Sequence, residues 1–162
     1  MKDPNTGVFI NLLTDFGFKF IFGNGEETDF LLSLLNAAFN NEPRIEKIIK
    51  IDKELPGENA EDRTTIYDVH CKTEKGEIII VEMQNRFQEY FRDRAIYYIG
   101  KDIVSQGKKG SEWKFDLKPV YGVFLMNFDW KVFEHDLIRD EVCLISRTSG
   151  KVFSDKLRMF FL

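Results

Sequence analysis

The chain has 162 residues, of which 43% are apolar, with a net charge of −4 and two cysteines. That length and apolar content exclude a disordered chain and suit one domain over residues 1–162, with a core made aromatic-heavy by sixteen phenylalanines. The acidic balance excludes a basic field over the whole molecule, so any contact with nucleic acid has to be local.

The start, Met1-Lys-Asp-Pro-Asn-Thr6, lacks the hydrophobic stretch of a signal peptide, and no apolar run reaches the roughly 20 residues that span a bilayer. A cytoplasmic protein without a membrane partner is expected. Thr14 can cap a short helix in which Asp15 and Lys19 are spaced to pair, and the interleaved Phe16, Phe18, Phe20 and Phe22 suit a core. Asn24 and Glu27 have the spacing of a capping box, and Phe30, Leu31, Leu34, Leu35, Ala38 and Phe39 form a helical stripe, so a helix is expected over about 26–40. Pro43 ends it. Ile45 to Lys53 alternates apolar and charged residues as a strand with one exposed face does, and Pro56-Gly57-Glu58-Asn59 with the charged run Glu61-Asp62-Arg63 reads as a loop.

Residues 66–84 read as two strands joined by a tight turn at Glu74-Lys75-Gly76, with Gly76 in the left-handed position of a bulged hairpin. Asp68 then lies opposite Glu82. Ile66, Asp68 and His70 share a face with Gln84, Glu82 and Ile80, while Val69, Cys71, Ile79 and Val81 fill the other. Phe87, Phe91, Ala95, Ile99 and Ile103 recur every fourth residue, which predicts a helix over about 86–105 packed on the sheet. Beyond a polar loop punctuated by Trp113, Phe115 and Leu117, the unbroken apolar run Val120–Met126 predicts a strand buried on both faces and reached by a parallel crossover. Leu137–Ile145 and Lys156–Leu162 read as further strands. The last stops while still apolar, as a C-terminally truncated chain would. Cys71 and Cys143 lie in strand patterns with no Cys-x-x-Cys spacing and are expected to be small core residues. The fold class is therefore α/β with a mixed sheet, in the order αβββαβ plus C-terminal strands.

Opposed carboxylates at roughly 5 Å destabilise a strand pair unless a cation or a proton lies between them. Asp68 and Glu82 are thus candidates for metal or acid/base chemistry, against the competing reading of a solvated hairpin face. Gln84 projects from the face of Glu82. His70 as a proton shuttle competes with a half-buried strand residue, and the latter is preferred. Glu27 is explained by its cap. Arg86, Arg92, Lys108 and Lys109 are the residues from which a local basic patch could be built, and Trp113 and Trp130 read as core anchors.

The element order, together with Thr14-Asp-Phe-Gly-Phe-Lys19, Leu34-Leu-Asn-Ala-Ala38, Tyr67-Asp-Val-His-Cys71, Ile80-Val-Glu-Met-Gln84 and Arg94-Ala-Ile-Tyr-Tyr98, resembles the PD-(D/E)XK nuclease family transposases, also described as recombination-promoting nucleases. The likeness spans nearly the whole chain. It implies a restriction-endonuclease-like fold and Mg²⁺-dependent DNA cleavage, with Mn²⁺ as a substitute, in the service of DNA recombination. Asp68 and Glu82 would be metal ligands, with the peptide carbonyl of Met83 as a third, and Gln84 stands where the superfamily usually has lysine. Gln84 can donate an amide hydrogen bond to water or phosphate but brings no charge. Arg94 and Tyr98 resemble the Gln-x-x-x-Tyr motif of RecB-like nucleases, with Arg for Gln, and imply a hold on the DNA phosphate. DNA is the expected partner and a homodimer the candidate assembly. A catalytically weak relative that binds nucleic acid or protein through the same cleft is the alternative.

Overall fold

The structure, a computed structural model, describes residues 10–23, 28–55, 64–108, 113–128 and 138–162. The capping box at Asn24–Glu27, the loop at 56–63, Lys109, Trp130 and Leu137 lie outside the described residues.

Thr14 opens helix α1 (Asp15–Phe18), its Oγ1 accepting the Gly17 N–H at 3.1 Å. The chain runs directly into a π-helical turn, Lys19–Gly23. Helical spacing sorts the four phenylalanines into two faces. Phe18 and Phe22 pack together at 4.8 Å toward the core, whereas Phe16 and Phe20 stack at 6.0 Å and are 70% and 50% exposed, against the expectation of four core residues. Helix α2 spans Asp29–Ala38, begins later than expected, and turns Phe30 outward while Leu31, Leu35 and Ala38 are buried. From the last turn of α2, Asn36 reaches the chain beyond the helix: its side chain both accepts the Ile45 N–H at 2.7 Å and donates to the Ile45 carbonyl at 2.8 Å.

Strands β1 (Ile48–Lys50), β4 (Val69–Thr73), β5 (Ile78–Gln84), β6 (Val120–Met126), β7 (Asp140–Ile145) and β8 (Val152–Phe161) form one six-stranded sheet. A separate small ladder pairs β2 (Glu54–Leu55) with β3 (Thr65–Ile66). The sheet order is β1-β4-β5-β6-β8-β7, with β6 parallel to β5 and to β8 and the remaining pairs antiparallel. Helix α3 (Phe91–Ser105) makes the crossover between β5 and β6. Together with α2, β1, β4 and β5 this gives the restriction-endonuclease-like αβββαβ core, a mixed α/β fold.

Every residue of β5 is buried because it lies mid-sheet with helices on both sides. Ile79, Val81 and Met83 meet Leu31, Leu35 and Phe39 of the α2 side; Ile78 and Ile80 meet Phe91, Ala95 and Ile99 of α3. Gly76, at φ +83°, closes the β4–β5 hairpin, and Val69↔Val81, His70↔Ile80 and Cys71↔Ile79 stand in the register read from the sequence.

Some boundaries move for visible reasons. Helix α3 starts at Phe91 rather than near 86, because Asn127 holds the preceding chain extended through its N–H to the Gln84 carbonyl and its amide to Asn85 Oδ1, both 2.8 Å. Strand β8 starts at Val152 through its pairing with β7. Cys71 is buried as expected, but Cys143 is only half-buried. Trp113 is half-buried against the Phe115 ring at 4.5 Å, and Phe115 itself is exposed. The expectation that Ile66, Asp68 and His70 share one strand face fails: the strand breaks at Tyr67-Asp68. The Tyr67 N–H goes to the Lys53 carbonyl at 2.9 Å, so the Tyr67 ring turns inward against His70 at 4.6 Å and Ile66 is left exposed.

Candidate active site

The break at Asp68 sets up the site. In an unbroken ladder the Asp68 N–H would bond to backbone; here it donates to Glu82 Oε1 at 3.1 Å. Asp68 Oδ2 in turn accepts the Met83 N–H at 2.9 Å. The Glu82 carboxylate is thereby fixed by the Asp68 backbone and the Asp68 carboxylate by that of Met83, with Asp68 8%, Glu82 4% and Gln84 7% exposed.

The remaining carboxylate oxygens face cations. Lys19 Nζ lies 3.1 Å from Asp68 Oδ1 and 2.7 Å from Asp15 Oδ1. Arg94 reaches Glu82 Oε2 at 3.4 Å, braced by a 2.8 Å hydrogen bond to Gln88 Oε1 and by its guanidinium lying over the Phe91 and Tyr98 rings at 5.7 and 5.5 Å. Among the described residues, these are the cations ion-paired with Asp68 and Glu82. The Gln84 amide lies 3.5 Å from Glu82 Oε2, at the edge of hydrogen-bond range.

Burial, followed by the Asp68 charge, pushes Glu82 up to about 8, although the Asp68 N–H, Arg94 and Lys19 pull the other way. Burial works against the Lys19 charge too, but its hydrogen bonds to Asp15 and Asp68 outweigh that and hold it above its ordinary value. Glu82 therefore holds its proton more readily than a free glutamic acid does.

Among the described residues no cluster of three His, Cys, Asp or Glu side chains is placed to hold a metal. The donor set here is two carboxylates with one flanking peptide, all hard oxygens. Mg²⁺ is suited by one or two carboxylates and several waters, and the proton that Glu82 retains is what a dication would displace. The residues present fit such an ion.

The other expected site residues are close by. Arg94 and Tyr98 line one cleft of about 560 Å³ with Thr64, Thr65, Gln88 and Tyr90, beside the Glu82 carboxylate that Arg94 touches. His70 lies on the α3 side and is buried, its Nδ1 2.6 Å from the Asp52 carbonyl and its Nε2 3.1 Å from Asp102 Oδ1. A carbonyl only accepts, so Nδ1 carries the proton, and both ring nitrogens are occupied by structural partners. Burial and then the Asp102 charge raise the Tyr67 hydroxyl above its ordinary value beside this pair.

Two residues escaped the sequence reading. Lys19 reads as the partner of Asp15, four residues earlier, and nothing local shows that it also reaches Asp68; its place between Phe18 and Phe20 in an apolar run was the available signal. Asp102 is polar on the buried stripe of α3, and only its pairing with His70 explains it.

No helix among the described residues is long and apolar enough to cross a membrane. No curated protein and no solved structure matches the chain. Residues 12–162, and with them Asp68, Glu82, Gln84, Arg94 and Lys19, match the family described as PD-(D/E)XK nuclease family transposase, and the chain belongs to that family.

Proposed function

We propose that the protein is a Mg²⁺-dependent DNA endonuclease, active also with Mn²⁺, whose cuts promote DNA recombination, and that residues 1–162 form one nuclease-like domain. The observation that carries this reading is the Asp68–Glu82 pair, buried and locked by backbone donors. Asp68 and Glu82, with the Met83 peptide oxygen, would hold the ion. When bound, it supplies charge neutralisation at the phosphate and makes water a stronger nucleophile at neutral pH.

The chain's own residues do the rest. Arg94, fixed between Glu82 and Gln88 and backed by Tyr98, presents a planar cation to a phosphate oxygen. Gln84 orients water or phosphate through its amide. The water oxygen joins phosphorus as one ester P–O bond breaks; one water proton leaves to solvent, the departing oxygen takes up a proton, and a phosphomonoester and an alcohol result.

Plasmid cleavage by the full chain with Mg²⁺ or Mn²⁺ tests this, with Asp68→Ala and Glu82→Ala alongside wild type. Nicking is expected from wild type only; equal cutting by all three sinks the assignment. A second reading, a non-catalytic module that binds nucleic acid or protein, is favoured by the neutral Gln84. Its mark is wild-type protein that retains DNA and leaves it uncut.

A further inference from the structure

We propose that Lys19 places a positive charge directly on the phosphate of bound DNA, doing from the N-terminal helical turn what the neutral Gln84 cannot do from β5. The inference rests on the endonuclease reading for the identity of the ligand.

The argument begins with charge. Asp68, Glu82 and a phosphodiester converge three negative groups on one place, of which a bound dication would offset two and Gln84 none. Arg94 meets the phosphate from the α3 side, held by Glu82 and Gln88 and lying over the Phe91 and Tyr98 rings. Lys19 is differently placed. An ammonium has three N–H donors, and the described acceptors of Lys19 are two, Asp15 Oδ1 and Asp68 Oδ1. The side chain is 38% exposed, which leaves the ammonium open to a ligand as well.

The local fold is built to hold it there. Phe18, immediately before Lys19, is buried at 2% exposure, and Phe22 packs on it, so the turn is pinned on both sides of the lysine. The turn is π-helical, a geometry that concentrates at functional positions. Gly23 ends it against Lys53 and the backbone of Asp68: a Cβ there would stand 3.0 Å from Lys53 Nζ and 3.2 Å from the Asp68 carbonyl oxygen. Asp15, on the exposed side, tethers the ammonium from outside without burying it.

A lysine that merely pairs with Asp68 and one that touches phosphate differ in the salt dependence of DNA binding. Each neutralised phosphate contributes about 0.9 to the slope of log K against log salt on duplex DNA. Binding to a short duplex is measured in Ca²⁺ across a salt series for wild type, Lys19→Met, Lys19→Gln and Lys19→Met/Gln84→Lys. The slope is expected to fall by about one in both single variants and to return in the double variant. In Mg²⁺, kcat/KM for cleavage is expected to fall about 10²–10³-fold in Lys19→Met and to recover at least about tenfold when Gln84→Lys is added. Lys19→Gln keeps a polar, uncharged side chain and serves if the methionine variant fails to fold. An unchanged slope in a folded single variant overturns the proposal, as does a double variant that restores neither quantity. The expected slope changes in the variants, together with a wild type that never cuts, leave the Lys19 contact standing and remove the endonuclease reading instead.

Discussion

The backbone N–H of Asp68 donates to Glu82 Oε1 at 3.1 Å, so the main chain of one acid sets the side chain of the other. Glu82→Gln keeps that acceptor, and Glu82→Ala removes it and strands a buried N–H. An unsatisfied buried donor costs about 1–3 kcal/mol. Urea denaturation is therefore expected to rank Glu82→Ala below Glu82→Gln by about that amount, with both inactive in cleavage. Equal stability of the two would show that the bond carries no weight.

Glu82 titrates far from its ordinary 4.5, pushed up to about 8 by burial and then by Asp68. The folded protein thus holds this proton more tightly than the unfolded chain. The associated stability is complete below about 4.5 and is lost as pH rises through about 8. In EDTA, the melting temperature of wild type is expected to fall relative to that of Glu82→Gln between about pH 5 and about pH 9, and Mg²⁺ to flatten the difference. A parallel pH profile for the two proteins contradicts this.

The same proton must leave when a dication arrives. At pH 7, Mn²⁺ uptake is expected to release about one proton per ion. Titration calorimetry in buffers of different ionisation enthalpy reads that number directly, and Glu82→Gln is expected to bind Mn²⁺ weakly and release none. Tight uptake with no proton release is the opposing result.

Arg94 lowers Glu82 by its charge, so removing it raises Glu82 further. For Arg94→Met, the acid limb of kcat/KM against pH is expected to move to higher pH, with KM for DNA raised several-fold as the cation over Tyr98 is lost. Arg94→Lys is expected to lie between the two. An acid limb that stays in place shows that Arg94 does not act on Glu82.

Away from the site, Asn36 ties α2 to the chain entering β1 through both backbone groups of Ile45. Asn36→Ala is expected to cost about 1–3 kcal/mol in denaturant melts, with kcat/KM unchanged at a temperature where the protein is folded. A loss of activity without loss of stability contradicts a purely structural role.

The sequence by itself determined the elements whose signal is local. An apolar run interrupted by a carboxylate located β5, an every-fourth-residue apolar pattern located α3, Gly76 fixed the hairpin register, and the unbroken run Val120–Met126 announced a strand buried on both faces. Through that register, the opposition of Asp68 and Glu82 was also legible. What only the tertiary structure decided is which distant groups complete the pair. The strand break at Asp68 depends on Lys53 accepting from Tyr67, Arg94 reaches Glu82 across the α3 packing, and Lys19 arrives from a turn aimed by Phe18, Phe22 and Gly23. Such contacts carry no periodicity in the sequence. They arise because packing two helical layers on one sheet end brings side chains remote along the chain to within hydrogen-bond range.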